Sequence, residues 1–368
     1  MITVNPLLGT ALHGVGALSA SVCYAPQKGV RRWSWQTYWW TQAAFCWFLL
    51  PILGALLTIP HLGQVLAHAP RDAMTTSFLL GVAYGVGGTA FNISIRYIGF
   101  SLTYAIAVGL SSVLGTLIPP LLDHKLVATF QQAGAEYVLG GIVAGTIGIA
   151  LCGLAGRLKE IDLYQRQATG EFSLAKGLAL SLLAGVLSAV YGLALSKGEP
   201  IAKVAEDYGA GIFKGNVTYI FSNSGAFLTT SIYCLYLGFR HNTFGELTEL
   251  APGSEPASLG RNYLLAVLTG LLWYGQFFFY NLGHVHLGPK YAFTSWAIHM
   301  IMLVLFSTLI AMAFREWSGC RGRTRTAIGA ALAVLVTAVL SLTYGNYLGA
   351  QKPAAATAPA AQAAPAEK

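Results

Sequence analysis

About ten hydrophobic segments of roughly 20–26 residues divide this chain, and that is the length a helix needs to cross a bilayer. None of its 14 Asp and Glu residues lies near the middle of such a segment. Hydrophobic residues make up 55% of the chain and charged residues only 10%, whereas soluble domains carry about 25% charged residues. The pattern predicts an all-α, polytopic membrane protein with ten transmembrane helices.

The ten predicted segments follow one another with short loops between most of them. They are residues 5–25, 35–59, 77–98, 100–122, 136–156, 173–196, 212–238, 260–283, 289–314 and 324–348. Glycines three or four residues apart in the third and fifth segments predict helices that approach each other closely. These are Gly81, Gly85 and Gly88, and Gly141, Gly145 and Gly148.

Loop charge sets the expected orientation. Most of the 22 Lys and Arg residues lie in the loops that follow odd-numbered segments. Because such residues gather in loops that stay cytoplasmic, both termini are expected on the periplasmic side. The first segment has no basic stretch before it and no cleavage site after it, so we interpret it as a retained helix rather than a signal peptide.

A weak internal repeat accompanies this layout. Gly16–Ala20 in the first segment recurs as Gly185–Ala189 in the sixth, and Ala105-Ile106 in the fourth is echoed by Ala297-Ile298 in the ninth. Since five is odd, two five-helix halves would enter the membrane from opposite sides, and such inverted repeats hold their substrate near the midplane. Chance recurrence of short small-residue strings is the alternative. The predicted units are an N-terminal half at 1–156, a cytoplasmic linker at 157–172, a C-terminal half at 173–348 and a disordered Ala/Pro-rich tail at 349–368.

Several functional classes lack their signatures in this sequence. The five cysteines are scattered without CxxC or Cys/His spacing, so neither a zinc site nor a disulfide framework is expected. No nucleophile elbow, HExxH motif, Walker A loop or dinucleotide fingerprint occurs, so we expect no enzyme and no cofactor. The net charge of +8 reflects cytoplasmic loops rather than a nucleic-acid surface. A carrier of a neutral polar solute fits best.

Aromatic and amide side chains near the middle of the eighth and ninth segments are the strongest candidates for substrate contacts. Trp273 and Gln276 lie one helical turn apart, as do Trp296 and His299. Aromatic rings cover the C–H faces of a sugar while amide and imidazole groups bond its hydroxyls. Helix packing and structural hydrogen bonds are the alternative. The substrate-binding candidates are Gln276, Trp273, Trp296, His299, Tyr274, Asn92 and Tyr104, with Tyr191, Asn216 and Asn223 ranked below them.

Histidines are the ionisable side chains well inside the apolar segments, chiefly His13 and His299. Ionisable groups inside a membrane are candidates for function, and histidine changes charge near neutral pH. If transport is coupled to protons, these two residues are the candidates, and a neutral histidine bonded to a backbone carbonyl is the alternative. Lys28 and Arg96 lie at segment ends, where they could gate an inner mouth or simply contact lipid phosphate.

Several strings in the chain are long and unusual enough to be specific. They include Tyr24-Ala25-Pro26, Trp33-Ser34-Trp35, Arg96-Tyr97-Ile98-Gly99, Leu272-Trp273-Tyr274, Gln276-Phe277-Phe278-Phe279-Tyr280, Gly283-His284, Ser295-Trp296, His299-Met300 and Glu316-Trp317. In these strings the sequence resembles the L-rhamnose–proton symporter family over nearly all of residues 9–348. That family is assigned to the drug/metabolite transporter superfamily.

The resemblance implies proton-coupled uptake of L-rhamnose across the bacterial inner membrane by alternating access. The alternatives are a proton-coupled or passive carrier of another deoxy-sugar, pentose or neutral metabolite and, more remotely, a membrane sensor or scaffold that transports nothing. The partners would then be L-rhamnose, protons and membrane lipid. Positions that match the family are His13, Gln276, His284, Trp296 and His299, which adds His284 to the candidates for proton coupling. Departures at Ala292, Gly88 and Ala90 put the precise sugar contacts in question.

Overall fold

The structure is a computed structural model that describes residues 4–98, 100–124, 126–164, 173–248, 257–288 and 292–351. This part of the chain is all-helical. Its α-helices are α1 (Pro6–Val22), α2 (Trp35–Ala43), α3 (Leu50–Thr58), α4 (Leu62–His68), α5 (Arg71–Ile98), α6 (Phe100–Leu122), α7 (Leu126–Phe130), α8 (Ala135–Tyr164), α9 (Leu174–Lys197), α10 (Glu199–Asp207), α11 (Asn216–His241), α12 (Ala257–Leu287), α13 (Thr294–Ala313) and α14 (Gly322–Gln351). Short 3₁₀ turns lie at Pro26–Gly29, Gly211–Phe213 and Phe244–Leu247, and a π-helical turn lies at Ala44–Leu49.

Within these ranges, eight helical stretches are long and apolar enough to cross a membrane. They are Pro6–Gly29, Trp35–Thr58, Thr103–Leu122, Ala135–Leu163, Ala175–Asp207, Ser258–Leu287, Thr294–Ala313 and Gly322–Gln351. Each overlaps a predicted segment. The predicted segments 77–98 and 212–238 fold as α5 and α11, which are 28 and 26 residues long, but neither helix is among the eight. Their Gly, Ser, Thr and Asn residues lower the hydropathy of helices that are otherwise long enough to span.

Local sequence signals explain where several helices begin and end. Asn5 precedes α1 and its side-chain Oδ1 accepts a hydrogen bond from the backbone N–H of Leu8 at 3.1 Å, while Pro6 occupies the first helical position. Helix α11 ends at His241, and the next residue, Asn242, has a φ of 53°, the left-handed conformation that often closes a helix. The second span is interrupted by its π-helical turn just before Pro51, which has no N–H to continue the regular hydrogen bonding.

The predicted close approach of glycine-rich helices is confirmed. A Cβ added at Gly81 would collide with the carbonyl oxygen of Ser222, and one at Gly225 with that of Phe78, so the backbones of α5 and α11 touch. Gly141 in the fifth segment lies against Leu342 of α14 in the same way. Gly85, Gly145 and Gly148 also lie against neighbouring helices, whereas a Cβ added at Gly88 would meet nothing within 4 Å.

Helix packing follows a paired pattern. Helix α1 lies against α12 and α13, and α9 lies against α5 and α6. Helix α12 packs on α2, and α5 packs on α11. Helix α6 contacts α13, and α8 runs along α14. Of the predicted connecting regions, residues 157–164 continue α8 and 349–351 continue α14, while 165–172 and 352–368 lie outside the described residues.

Candidate functional site

A small cavity lies between α5, α9, α12 and α13. Its volume is about 30 Å³, which accommodates one or a few water molecules but not a sugar ring. The lining residues are Tyr84, Ser188, Tyr191, Leu195, Gln276, Phe277, Tyr280, Trp296, His299 and Met300.

Three of the predicted substrate-binding residues meet at this cavity. Gln276 comes from α12, and Trp296 and His299 come from successive turns of α13. The indole N–H of Trp296 donates to the backbone oxygen of Ser111 on α6 at 2.9 Å. The polar edge of this ring is thus held by a neighbouring helix, and its apolar surface contributes to the cavity wall.

Tyr280 is the residue around which the predicted histidines gather. Its ring centroid lies 5.1 Å from that of His13, 5.4 Å from His299 and 6.1 Å from His284. The ring centroid of Trp296 lies 5.9 Å from that of Tyr280. Residues from α1, α12 and α13 therefore form one contiguous group of rings beside the cavity.

His13 and His299 are buried and their polar atoms are poorly satisfied. Their ring centroids are 6.0 Å apart. Neither ring nitrogen of His13 has a hydrogen-bond partner among the described residues, and the same holds for Nδ1 of His299. The expected alternative, a histidine bonded to a backbone carbonyl, is therefore not the arrangement at His13. Buried imidazole nitrogens without partners are costly, so a water, a proton or a solute hydroxyl is expected to satisfy them.

Close packing fixes the position of His13. A Cβ added at Gly283 would stand 2.8 Å from Cδ2 of His13, so only glycine lets α12 come this near to the imidazole ring. His284, the next residue on α12, is placed differently. Its Nδ1 lies 2.9 Å from Oγ of Ser295, which gives this imidazole the hydrogen-bond partner that His13 lacks.

Other predicted substrate-binding residues do not line the cavity. Trp273 is buried among Tyr24, Trp39 and Trp47, with ring centroids 5.2 to 5.7 Å away. Tyr274 points from α12 toward Gly54 of α3, where an added Cβ would collide with its hydroxyl.

The remaining two candidates make contacts elsewhere. The amide of Asn92 donates to the carbonyl of Gly88 one turn earlier in α5, at 3.0 Å, which is a bond within one helix. Tyr104 on α6 packs against Phe91 with ring centroids 5.8 Å apart. Their role in substrate binding stays a prediction.

Of the two predicted gating residues, Lys28 has a described side chain and Arg96 does not. Lys28 forms an ion pair with Glu316, with Nζ 3.4 Å from Oε1. Glu316 also pairs with Lys159 through its other oxygen at 3.5 Å, so one carboxylate joins the loop after α1 to the end of α8. Arg96 belongs to α5, but its side chain lies outside the described part of the structure.

Sequence reasoning missed or undervalued several residues beside the cavity. Tyr84 and Ser188 line it but were not predicted, and neither was Tyr280. Tyr280 lies four residues after Gln276, so helical spacing was a signal that could have identified it. The Tyr191 hydroxyl donates to Oδ1 of Asn223, and Nδ2 of Asn223 is buried with no partner among the described residues.

Comparison with known proteins places this arrangement in context. Residues 3–346 match the family described as L-rhamnose-proton symport protein. A protein named L-rhamnose-proton symporter from Mannheimia succiniciproducens is 32% identical over 344 residues, covering 92% of this chain and 98% of that protein. Proteins of the same name from Pectobacterium atrosepticum and Escherichia coli O1:K1 / APEC are 32% and 29% identical, covering 85% and 90% of this chain and 90% and 95% of theirs.

Proposed function

Because the chain belongs to the L-rhamnose-proton symport family, we propose that it is a secondary active transporter that takes up L-rhamnose together with protons. The observation that carries this proposal is the cavity itself. Aromatic rings and one amide line it, and two buried histidines stand beside it. A neutral solute and a proton can therefore be held within one small region of the protein.

Sugar binding would use the rings and the amide that face the cavity. Trp296 and Phe277 offer apolar surfaces for the C–H face of a pyranose, and Gln276 offers both a donor and an acceptor for its hydroxyls. L-Rhamnose is a deoxy-sugar with a methyl group, and Met300 and Leu195 are aliphatic side chains on the cavity wall that suit such a group. The cavity must expand to admit the sugar, as alternating access requires.

Proton coupling would use His13 and His299, with His284 as a nearby third imidazole. Since the apolar segments hold no central Asp or Glu, histidine is the side chain available to carry a charge there. Two imidazolium ions 6.0 Å apart would repel each other strongly in a poorly hydrated interior, so the pair would hold one proton at a time. A sugar hydroxyl that bonds one unpartnered nitrogen would then influence where that proton resides.

The wider architecture is part of the same proposal. It consists of ten transmembrane helices in two inverted five-helix halves, of the kind found in the drug/metabolite transporter superfamily, in an inner membrane with both termini periplasmic. The matched packing of α1 on α12 and α13 and of α9 on α5 and α6 supports the repeat. In this scheme α5 and α11 also cross the membrane, where their polar residues face other helices. Lys28 and Arg96 would act near the cytoplasmic mouth.

Reconstitution into proteoliposomes tests this function directly. We expect radiolabelled L-rhamnose to accumulate when the lumen is made alkaline, and the accumulated sugar to leave when a protonophore collapses the pH gradient. Accumulation of another deoxy-sugar, a pentose or a neutral metabolite in place of L-rhamnose would show that this other solute is the substrate. Sugar exchange at a rate that does not depend on the pH gradient would indicate a passive carrier. Failure to transport any tested solute would favour a sensor or scaffold.

A further inference from the structure

A second group of buried aromatic residues lies beside α2, apart from the histidines. Trp39, Trp47 and Trp273, here called the indole cluster, have ring centroids 5.5 to 6.5 Å apart. Trp35 stacks on Trp39 at 5.4 Å and extends the cluster to the first residue of α2. Each ring of the cluster is at least nine-tenths buried.

Polar atoms in this group are left without partners. The indole N–H groups of Trp47 and Trp273 have no acceptor among the described residues. Gln42 is completely buried, and neither its Oε1 nor its Nε2 has a hydrogen-bond partner there. Nearby Trp40 shows the usual outcome, since its indole N–H donates to Oγ of Ser231 at 3.1 Å. These groups belong to α2, the π-helical turn and α12, which pack on one another, and several unsatisfied buried polar groups are costly and call for an explanation.

The backbone of α2 at Gln42 lies directly against α12. The carbonyl oxygen of Gln42 lies 3.3 Å from where a Cβ at Gly270 would stand, one turn before Trp273. The π-helical turn at Ala44–Leu49 follows at once and contains Trp47. π-Helical turns inside α-helices often occur at functional sites.

The indole cluster is continuous with the cavity through aromatic contacts. Trp47 lies 6.1 Å from Tyr84, and Tyr84 lies 4.5 Å from Tyr191. Both tyrosines line the cavity. A path of rings therefore runs from the cavity to the face of the protein on which α2 begins.

We propose that Gln42 and the indole cluster form a second monosaccharide subsite, between the cavity and the face where α2 begins. This inference rests on the proposed sugar transport. Indole faces cover the C–H surface of a pyranose, the two indole N–H groups donate to its hydroxyls, and the Gln42 amide both donates and accepts. In the present conformation the rings contact one another. The subsite opens when α2 and α12 separate, and it then receives the sugar as it leaves or enters on this side.

The test compares substitutions that remove unpartnered groups with substitutions that remove partnered ones. Gln42→Met and Trp273→Phe remove unpartnered polar atoms, whereas Gln36→Met and Trp40→Phe remove matched residues of α2 that are bonded to Thr243 and Ser231. Oriented proteoliposomes allow L-rhamnose exchange to be measured with sugar varied on either side. All variants are first checked by gel filtration and thermal unfolding.

Loss of one hydrogen bond to a sugar is expected to raise the KM about three- to tenfold. We expect this rise for Gln42→Met and Trp273→Phe when sugar is varied on the side where α2 begins, and a change of less than about twofold on the other side and in both controls. Equal effects on both sides, or equal effects in the controls, would overturn the subsite. So would unchanged KM values, even with a higher thermal stability from relief of the buried amide.

A binding measurement separates this inference from the proposed function. L-Rhamnose added to purified protein without any gradient should change the intrinsic tryptophan fluorescence, and Trp47→Phe and Trp273→Phe should each reduce that change while Trp40→Phe should not. Because Trp296 also lines the cavity, only a signal that Trp47→Phe and Trp273→Phe reduce supports the subsite, and such a signal without proton-driven accumulation would refute coupling but keep the subsite. Proton-driven uptake with a fluorescence response that the two cluster variants leave intact would refute the subsite and keep the function.

Discussion

Substitution of Gly115 by alanine tests whether the ring of Trp296 must lie where the structure places it. A Cβ at this position on α6 would stand 2.5 Å from Cδ1 of Trp296 and 3.1 Å from its Cε2. Carbon atoms in contact normally lie about 3.5–4.0 Å apart. The ring must therefore retreat by about 1 Å, and it then loses the 2.9 Å hydrogen bond to the Ser111 carbonyl.

The size of the effect follows from these two losses. Forcing an extra methyl group into a packed interior costs about 1–3 kcal/mol, and the lost indole hydrogen bond costs about 1 kcal/mol more. Displacement of the Trp296 ring, which forms one wall of the proposed sugar site, is expected to weaken L-rhamnose binding by about 1–2 kcal/mol. This corresponds to a rise in KM of roughly five- to thirtyfold. Proton coupling should persist in Gly115→Ala, because His13 and His299 are not displaced by this methyl group.

Uptake kinetics and thermal unfolding together decide the outcome. Gly329→Ala on α14 is the matched control, since a Cβ there meets nothing within 4 Å. In the double variant with Trp296→Phe the smaller ring relieves the collision, so the two effects should be strongly non-additive. A Gly115→Ala protein with normal KM, or effects that simply add to those of Trp296→Phe, would refute the assigned role of this ring.

Three further outcomes are expected. His13→Gln and His299→Gln should each retain sugar binding but lose the dependence of uptake on the pH gradient, and full coupling in both would show that neither histidine carries the proton. Glu316→Gln removes the ion pairs to the exposed Lys28 and to the half-buried Lys159. Each is worth about 1 kcal/mol or less, so Tm should fall by only a few degrees while the rate of L-rhamnose exchange changes; a large fall in Tm would contradict this. Burial, followed by the nearby Asp162 charge, raises the pKa of the Cys320 thiol, so maleimide should label it more slowly at pH 7 than a solvent-exposed thiol and faster as the pH rises.

Hydrophobic length predicted most of the fold because the bilayer fixes how long a spanning helix must be. It was less decisive for α5 and α11, whose polar and small residues are matched to helix neighbours rather than to lipid. The glycine spacing predicted which helices would touch at Gly81 and Gly141, but it could not distinguish Gly88, which meets nothing. Whether a small residue is in contact depends on helix rotation, which one sequence does not specify.

The sequence predicted those parts of the candidate site in which residues three or four apart share one face of a helix. Trp296 and His299 share a face of α13 as their spacing predicts, and the structure brings Gln276 of α12 to the same cavity; their role in substrate binding stays a prediction. Trp273 was grouped with Gln276 by the same spacing, but its ring neighbours come from the first and second spans, which are distant from it in the chain. Gln42 was missed because its unusual property is the lack of a hydrogen-bond partner, and that is visible only in three dimensions.

The backbone contact between α5 and α11 has a mechanical consequence. Where two helices meet through Gly81 and Gly225, no side chains lie between them to deform or change rotamer. The contact between Gly134 and Gly345 joins the start of α8 to α14 similarly. Such pairs resist sliding and rotation about their own axes. During the conformational cycle each such helix pair is therefore expected to move as one rigid body. Changes in backbone dihedral angles are expected to concentrate in the loops that connect the pairs.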